Sequence, residues 1–297
     1  MSRETSRSTG KNYGLKRVCQ VWEVPRSTVY EHRRRSALQT SRRKPGPKPR
    51  ISDNEVLALV RKDLEDSPFH GEGHRKVHAR LRRQEGVKIG RERVRKVMRN
   101  NGLLSPYRSP LGTKKAHDGR ITTDEPNVMW GTDAAKIFTS EDGWVWFFGI
   151  IEHWNAECLG WHIAKKGDRF AALEPLKMAL KMQYGSVDQS VGLGLSLRSD
   201  HGSQYRSEHF IQQVKYWGIS PSFGFVREPE TNGVIERFNR TLKEQIIHGR
   251  VYRTIDELQA AVAQFIETYN EHWLLEKLNY RSPREMRRSM EGETHAA

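Results

Sequence analysis

Apolar positions fall into two textures along the chain. Up to about residue 104 they recur at helical spacing. Leu15, Val18, Cys19 and Trp22 form one such run, and Glu23-Val24-Pro25 breaks it. Thr28 with Glu31 then reads as a capping box for a second helix ending in Arg33-Arg34-Arg35. Ser52 with Glu55 opens a third helix that buries Val56, Leu59, Val60 and Leu64 and stops at Pro68. Two more follow, one around Val77 and Leu81, the other around Val94, Val97 and Met98, closed by Asn101-Gly102. After residue 125 the pattern becomes strand-like. Val128–Phe138, Trp144–Ile151 and Leu159–Ala164 read as a meander, the first two joined by the turn Ser140-Glu141-Asp142-Gly143. Then come a helix over Phe170–Met182, a strand over Gly192–Arg198, a helix over Ser207–Trp217, a strand over Ile219–Phe225 and a helix over 231–246. That order predicts an α/β fold with a mixed sheet and flanking helices, preceded by two small all-helical units.

Each helical unit has the form of a helix-turn-helix, a shape that fits a DNA major groove; a plain helical hairpin packed on another surface shares the pattern. The domains expected are 1–35 and 51–104 for the two helical units, 126–272 for the α/β core and 273–297 for a C-terminal tail. Residues 36–50 and 105–125 would link them, the first carrying Arg42-Arg43-Lys44-Pro45-Gly46-Pro47-Lys48-Pro49-Arg50. Alternating prolines keep that stretch extended, whether it tracks a phosphate backbone or is only a solvated spacer.

Charge sharpens this division. Of a net +15, residues 1–120 hold +19 (31 Lys/Arg against 12 Asp/Glu) and residues 121–297 hold −4. A basic arm on a near-neutral globule points to a polyanion, most simply nucleic acid. Candidate contacts on the arm are Arg26, Ser27, Arg33 and Arg34 in the first unit and Arg75, Lys76, Arg91 and Arg93 in the second. Two distant cysteines, Cys19 and Cys158, offer no disulfide framework and suit a reducing cytoplasm. No apolar run is long enough to span a bilayer, and there is no secretory h-region, so no membrane partner is expected. His70, His74 and His78 recur every four residues, but no cysteine or clustered acid joins them as a zinc set.

Three acids stand out by position. Asp133 lies inside an otherwise apolar strand, where a carboxylate is costly unless paired or metal-bound. Asp200 follows the fourth strand, at the kind of strand end where α/β sheets place their chemistry. Glu236 lies on a helix whose polar face carries Asn232, Asn239, Arg240 and Lys243, with Val234, Phe238 and Leu242 opposite. An ordinary amphipathic helix explains that face equally well. If the first and fourth strands are neighbours, the aspartates meet and Glu236 approaches from the facing helix. Such a set suits two Mg²⁺ or Mn²⁺ ions rather than zinc.

The segments Trp130-Gly131-Thr132-Asp133, Leu197-Arg198-Ser199-Asp200-His201-Gly202-Ser203-Gln204-Tyr205 and Asn232-Gly233-Val234-Ile235-Glu236-Arg237-Phe238-Asn239-Arg240-Thr241-Leu242-Lys243 resemble the DDE motif of bacterial insertion-sequence transposases, specifically the OrfB part of the IS-three family. As in that family, 35 residues separate Asp200 from Glu236 and a lysine, Lys243, follows seven positions on. His70–His78 with Gly90–Val94 looks like the helix-turn-helix that precedes the core there. Tyr269-Asn270, Leu278 and Ser282-Pro283 match the family's tail, whereas Trp273 and Leu275 stand where Arg and His are usual.

The resemblance implies a retroviral-integrase-like, RNase H-like core and a metal-dependent polynucleotidyl transferase. Its catalytic metal ligands would be Asp133, Asp200 and Glu236, holding two Mg²⁺ (or Mn²⁺) per site. Lys243, Asn232, Asn239 and Arg240 would contact DNA. It further implies terminal inverted repeats and target DNA as partners, a homo-oligomer on paired ends, an upstream reading-frame product as a further partner, and a bacterial, nucleoid-associated cytoplasmic location. Two other readings fit the same features: a non-catalytic terminal-repeat-binding protein or repressor, and an RNase H-like nuclease.

Overall fold

The computed structural model describes residues 4–37, 50–83, 86–107, 123–223 and 233–296. Most of both expected linkers, and Asn232, lie outside them. The chain divides into two compact units, Met1–Ser52 and Asp53–Ala297.

In the first unit, α1 (Leu15–Val21) and α2 (Arg26–Ala37) flank a tight turn. Cys19 is its buried residue, while Trp22, expected to pack, is exposed. The expected capping box does not form. Pro25 sets the start of α2 at Arg26, so Thr28 is already helical and its N–H bonds the Pro25 carbonyl. Glu31 instead accepts from Arg35 Nε at 2.8 Å, an i,i+4 pair on the solvent face.

In the second unit, α3 (Asp53–Asp66), α4 (His74–Arg83) and α5 (Arg91–Asn100) close around Val56, Val60, Val77, Leu81, Val94, Val97 and Met98. A buried acid, Glu72, is satisfied by Ser67 Oγ at 2.7 Å and by Arg80 at 2.6 Å, and Arg80 also forks onto both Asp63 oxygens at 2.8 Å.

The sheet comprises β1 (Met129–Thr139), β2 (Gly143–Glu152), β3 (Cys158–Ala164), β4 (Ser196–Ser199) and β5 (Ser220–Phe223), in the order β3-β2-β1-β4-β5. β1, β2 and β3 form the expected antiparallel meander; β4 pairs parallel with β1, and β5 parallel with β4. The fourth strand is shorter than its apolar pattern suggests. Gly192 and Gly194 lie in turns, Gly194 at φ 91°, and only Ser196 onward pairs. The expected helix over 207–217 begins earlier, as α7 (Ser203–Arg206) and α8 (Glu208–Tyr216).

Side chains alternate across β1. Trp130 joins Phe148, Ile150, Leu176, Leu180, Val214 and Trp217 under α6 (Arg169–Tyr184) and α8. Ala135 and Ile137 point the other way, into a core with Phe147, Phe238, Leu242, Leu258, Val262 and Phe265 from α9 (Gly233–Leu242) and α10 (Ile255–His272). Asp133 shares the α9 side by this alternation. β2, the most apolar run, is covered on both faces.

The segment read as a tail is structured. Ser282 Oγ accepts from Glu285 N, and Glu285 returns the bond to Ser282 N, a capping box that starts α11 (Pro283–Ala296) with proline at its first position. Arg287 Nε reaches the buried Glu157 at 2.5 Å, and Asn155 donates to the Pro283 carbonyl at 3.0 Å. Asn270 accepts from Cys158 N and donates to Cys158 O, both at 2.9 Å, where the β2–β3 register shifts. The Tyr269-Asn270 pair thereby anchors the turn, with Tyr269 Oη donating to Ala156 O.

At Gly160 on β3 a Cβ would stand 2.1 Å from the Pro175 carbonyl and 3.0 Å from Ala179 N on α6. Both are backbone atoms, so relief requires moving the helix. Gly160→Ala is expected to destabilise by about 1–3 kcal/mol through overpacking, read as a lower Tm with an unchanged far-ultraviolet spectrum.

Candidate active site

The parallel ladder between β1 and β4 builds the site. Its last paired residues are Gly131 and Arg198. Two residues further on lie Asp133, still within β1, and Asp200, just past the end of β4, so the pairing directs the two carboxylates to one end of the ladder. α9 crosses this face with Ile235, Phe238 and Leu242 buried beneath it and Glu236 exposed. The juxtaposition expected of strands one and four is therefore present, and the third acid faces it.

Asp133 is tightly held. Its Oδ1 accepts from Ala134 N at 2.8 Å and its Oδ2 from Asn239 Nδ2 at 2.9 Å. Burial pushes its carboxyl pKa up to about 6, the charges of Asp200 and Glu236 push the same way, and the two hydrogen bonds oppose them. Burial also raises the Glu236 carboxyl, against the pull of Arg240 one turn on. Asp200 is exposed and accepts from Gly202 N at 2.9 Å, which turns the chain into α7. Beneath the pair, Tyr205 is wholly buried; Thr132 Oγ1 donates to its hydroxyl at 3.4 Å, and desolvation drives that phenol's pKa far above its usual value. Among the described residues, no group of three His, Cys, Asp or Glu side chains is spaced to hold a metal as it stands. Asp133 feels the charge of the other two acids, which do not close a cage around it.

The helix face differs from the expected one. Asn239 is buried at 6 % exposure and is engaged by Asp133, so it lies inside the fold rather than on an open DNA face. Ile235, which the sequence reading did not place, is fully buried and completes the packed stripe with Phe238 and Leu242. Arg240 remains exposed. Lys243, half-buried, begins a π turn over Lys243–Ile247 that ends the continuous α-helix expected to residue 246.

The arm residues also separate. Arg26, Ser27, Arg33 and Arg34 are exposed on α2, and Arg91 is exposed on α5. Arg93 pairs with Asp53 at 2.7 Å. Arg75 pairs with Glu276 at 2.5 Å, and the Lys76 ammonium sits between Glu72 and the Trp273 ring. Lys76 of α4 thus faces the α/β core, while Arg75 reaches it with its side chain still 43 % exposed. Trp273, and the turn after it, supply both cations with partners from the core. Trp273 and Leu275 replace the expected tail cations with an aromatic platform for Lys76 and a buried core residue.

Residues 123–229 and 217–283 each match a family model described as an integrase core domain, and residues 53–110 match an HTH-like domain. The transposase InsD for insertion element IS2A/D/F/H/I/K of Escherichia coli is 30% identical over 245 residues, 78% of this chain and 78% of that protein. The chain belongs to the IS-three family of DDE transposases. The transposase InsD for insertion element IS2D of Escherichia coli (strain K12) gives the same identity and coverage. Among solved structures, the catalytic core domain of BIV integrase aligns at 18% identity over 57% of this chain and 99% of that one, with a TM-score of 0.39. The HTLV-2 integrase catalytic core domain in complex with magnesium (dimeric form) aligns at 14% identity over 54% and 96%, with a TM-score of 0.38. This transposase is accordingly a DNA-binding polynucleotidyl transferase with an integrase-type core behind an HTH-like domain. Among its described residues no helix is long and apolar enough to cross a membrane.

The raised Asp133 carboxyl has a pH signature in chelator-treated protein. A carboxyl whose pKa climbs from 3.8 unfolded to about 6 folded costs nothing below pH 4, loses stability as pH rises from 4 to 6, and carries the full cost above. Asp133→Asn is therefore expected to raise the metal-free stability at pH 7 by on the order of 1–3 kcal/mol and to leave it nearly unchanged at pH 4. Thermal melts in EDTA at both pH values measure this; an equal shift at both would contradict it.

Proposed function

We propose that this transposase cuts the ends of its insertion element and joins the freed 3′-hydroxyls to target DNA at a centre formed by Asp133, Asp200 and Glu236. The observation that carries the reading is the parallel β1–β4 pairing, which ends two residues before Asp133 and Asp200, with the charges of Asp200 and of Glu236 on α9 both felt at Asp133.

The donor set fits hard divalent cations. It consists of three carboxylates with no thiol or imidazole among them, and two like charges already raise the cost of ionising Asp133, a cost that a bound cation would relieve. Two Mg²⁺ (or Mn²⁺) ions bound there would activate the attacking oxygen and stabilise the leaving one. The chain's own residues supply the rest. Asn239 and Ala134 N orient the Asp133 carboxylate. The turn at Gly202 fixes Asp200, and the buried stripe Ile235-Phe238-Leu242 sets the height of Glu236 above the sheet. Arg240 and Lys243, on the outward side of α9 and the turn after it, hold the DNA backbone next to the site. Arg26, Ser27, Arg33, Arg34, Arg91 and Arg93 contact the element's terminal inverted repeats, with paired ends held by a homo-oligomer and an upstream reading-frame product as a further partner.

Two measurements test this. Asp200→Asn is expected to reduce strand cutting on terminal-repeat DNA to background in Mg²⁺ while end binding persists; cutting that survives would sink the three-carboxylate centre. Preference for RNA–DNA hybrids over repeat ends in the same assay would favour an RNase H-like nuclease instead. If the basic arm contacts about eight phosphates, end affinity should fall on the order of 10³-fold or more between low and physiological salt, and a flat salt response would remove the arm from the DNA interface.

A further inference from the structure

The HTH-like domain is seated on the catalytic core through a short set of contacts. Phe69, just before α4, is buried in the core cluster that holds Phe238 and Leu242, and it meets Trp273 edge-on at 4.7 Å. Arg75 pairs with Glu276, and Arg83 with the Tyr280 carbonyl and Glu285. Next to these, a cleft of about 840 Å³ opens between Asp63, Arg80 and Arg83 on one side and Thr268, His272 and Glu285 on the other. Packing is therefore discontinuous, and the seating depends on a few points.

One of those points belongs to the catalytic helix. Gln245 is buried at 6 % exposure in the π turn that follows α9. Its Oε1 accepts from His70 N at 3.0 Å and its Nε2 donates to His70 O at 2.9 Å. A single side chain thus satisfies both backbone groups of one residue in the other domain, across 175 positions of sequence. Both bonds are part-buried although His70 itself is exposed, so losing the amide would release that backbone segment from the π turn. The π turn itself is an uncommon geometry that persists only where something holds it, and such turns concentrate at functional sites. This one begins at Lys243, seven residues after Glu236.

The division of cations gives the clamp a direction. α4 engages Arg75, Lys76 and Arg83 with the core, whereas α5 leaves Arg91, Lys96 and Arg99 exposed. DNA gripped by α5 is thereby held by a body that Gln245 ties to the catalytic helix. We propose that Gln245 is a positioning residue: it locks the HTH-like domain to the π turn, so that DNA bound on α5 reaches Asp133, Asp200 and Glu236 in one register and is cut at one phosphate. The proposal rests on the reading of those carboxylates as the cutting centre.

Gln245→Met in the full chain keeps the side-chain volume and removes both hydrogen bonds. With end-labelled terminal-repeat DNA and Mg²⁺, the variant is expected to bind ends as the parent does and to cut on the order of 10- to 100-fold more slowly, with the cut spread over neighbouring phosphates. Amide exchange at His70 is expected to accelerate in the same protein without DNA or metal. A purely structural role would lower the yield of folded enzyme and leave the cut site unchanged. Cutting at the parental phosphate alone, at a rate reduced only by the lost folded fraction, would overturn the proposal. Should Gln245→Met fail to fold, Gln245→Glu carries the test: it keeps the acceptor for His70 N, loses the donor to His70 O, and meets the same criterion. Asp200→Asn run in parallel separates the two ideas, since residual cutting there would refute the catalytic centre, whereas accurate cutting by the Gln245 variants would refute only the clamp.

Discussion

Burial of the Asp133 carboxylate beside the β1–β4 ladder, with other acids near it, is the constraint around which the catalytic domain is arranged. The parallel ladder ends at Gly131 and Arg198, two residues short of Asp133 and Asp200, so the charge of one aspartate reaches the other. Asp133 is half-buried as well, and its ionised form is disfavoured twice over. A fold that only needed stability would place an apolar residue there. The surroundings instead resist relaxation: Ala134 N and Asn239 hold the carboxylate, Tyr205 fills the space below, and Ile235, Phe238 and Leu242 fix the helix above. Rigidity around a destabilised group is what a pre-organised charge site requires.

Much of this could be read from the sequence because it depends on periodicity and spacing. The alternation in β1 and the unbroken apolar run of β2 identify central strands, and the order of elements leads to the mixed sheet. Asp133 stood out because a carboxylate is expensive in an apolar strand, Asp200 because it follows a strand end, and Glu236 because of its spacing from Asp200. Other features depended on partners remote in sequence. Nothing local to Lys76 or Arg75 reveals that Trp273 and Glu276 will meet them, so both looked like cations for DNA. Asn239 shares a helical face with Glu236, yet the helix tilts that edge inward onto Asp133. Gln245 did carry a signal: it is a polar residue on the line continuing Phe238 and Leu242, where an apolar one would be expected.

Amide side chains recur as fasteners. Asn270 closes both backbone groups of Cys158 at the irregular end of β3, and Gln245 does the same for His70 in the HTH-like domain. Carboxylates could not do this, since they only accept, and hydroxyls lack the reach. The neutral amide provides donor and acceptor at a fixed separation, which suits a bare peptide segment that has no strand beside it.

The contact between Arg287 and Glu157 bears on how the protein is made. Glu157 is 1 % exposed in the turn between β2 and β3, and the guanidinium that neutralises it lies 130 residues later, on α11. During synthesis the meander emerges long before that partner exists. Its turn must then stay hydrated, or hold an uncompensated charge, until α11 arrives. The domain therefore closes from its far end, and a chain interrupted before residue 287 would present a complete set of strands and all three acids with Glu157 still lacking its Arg287 partner.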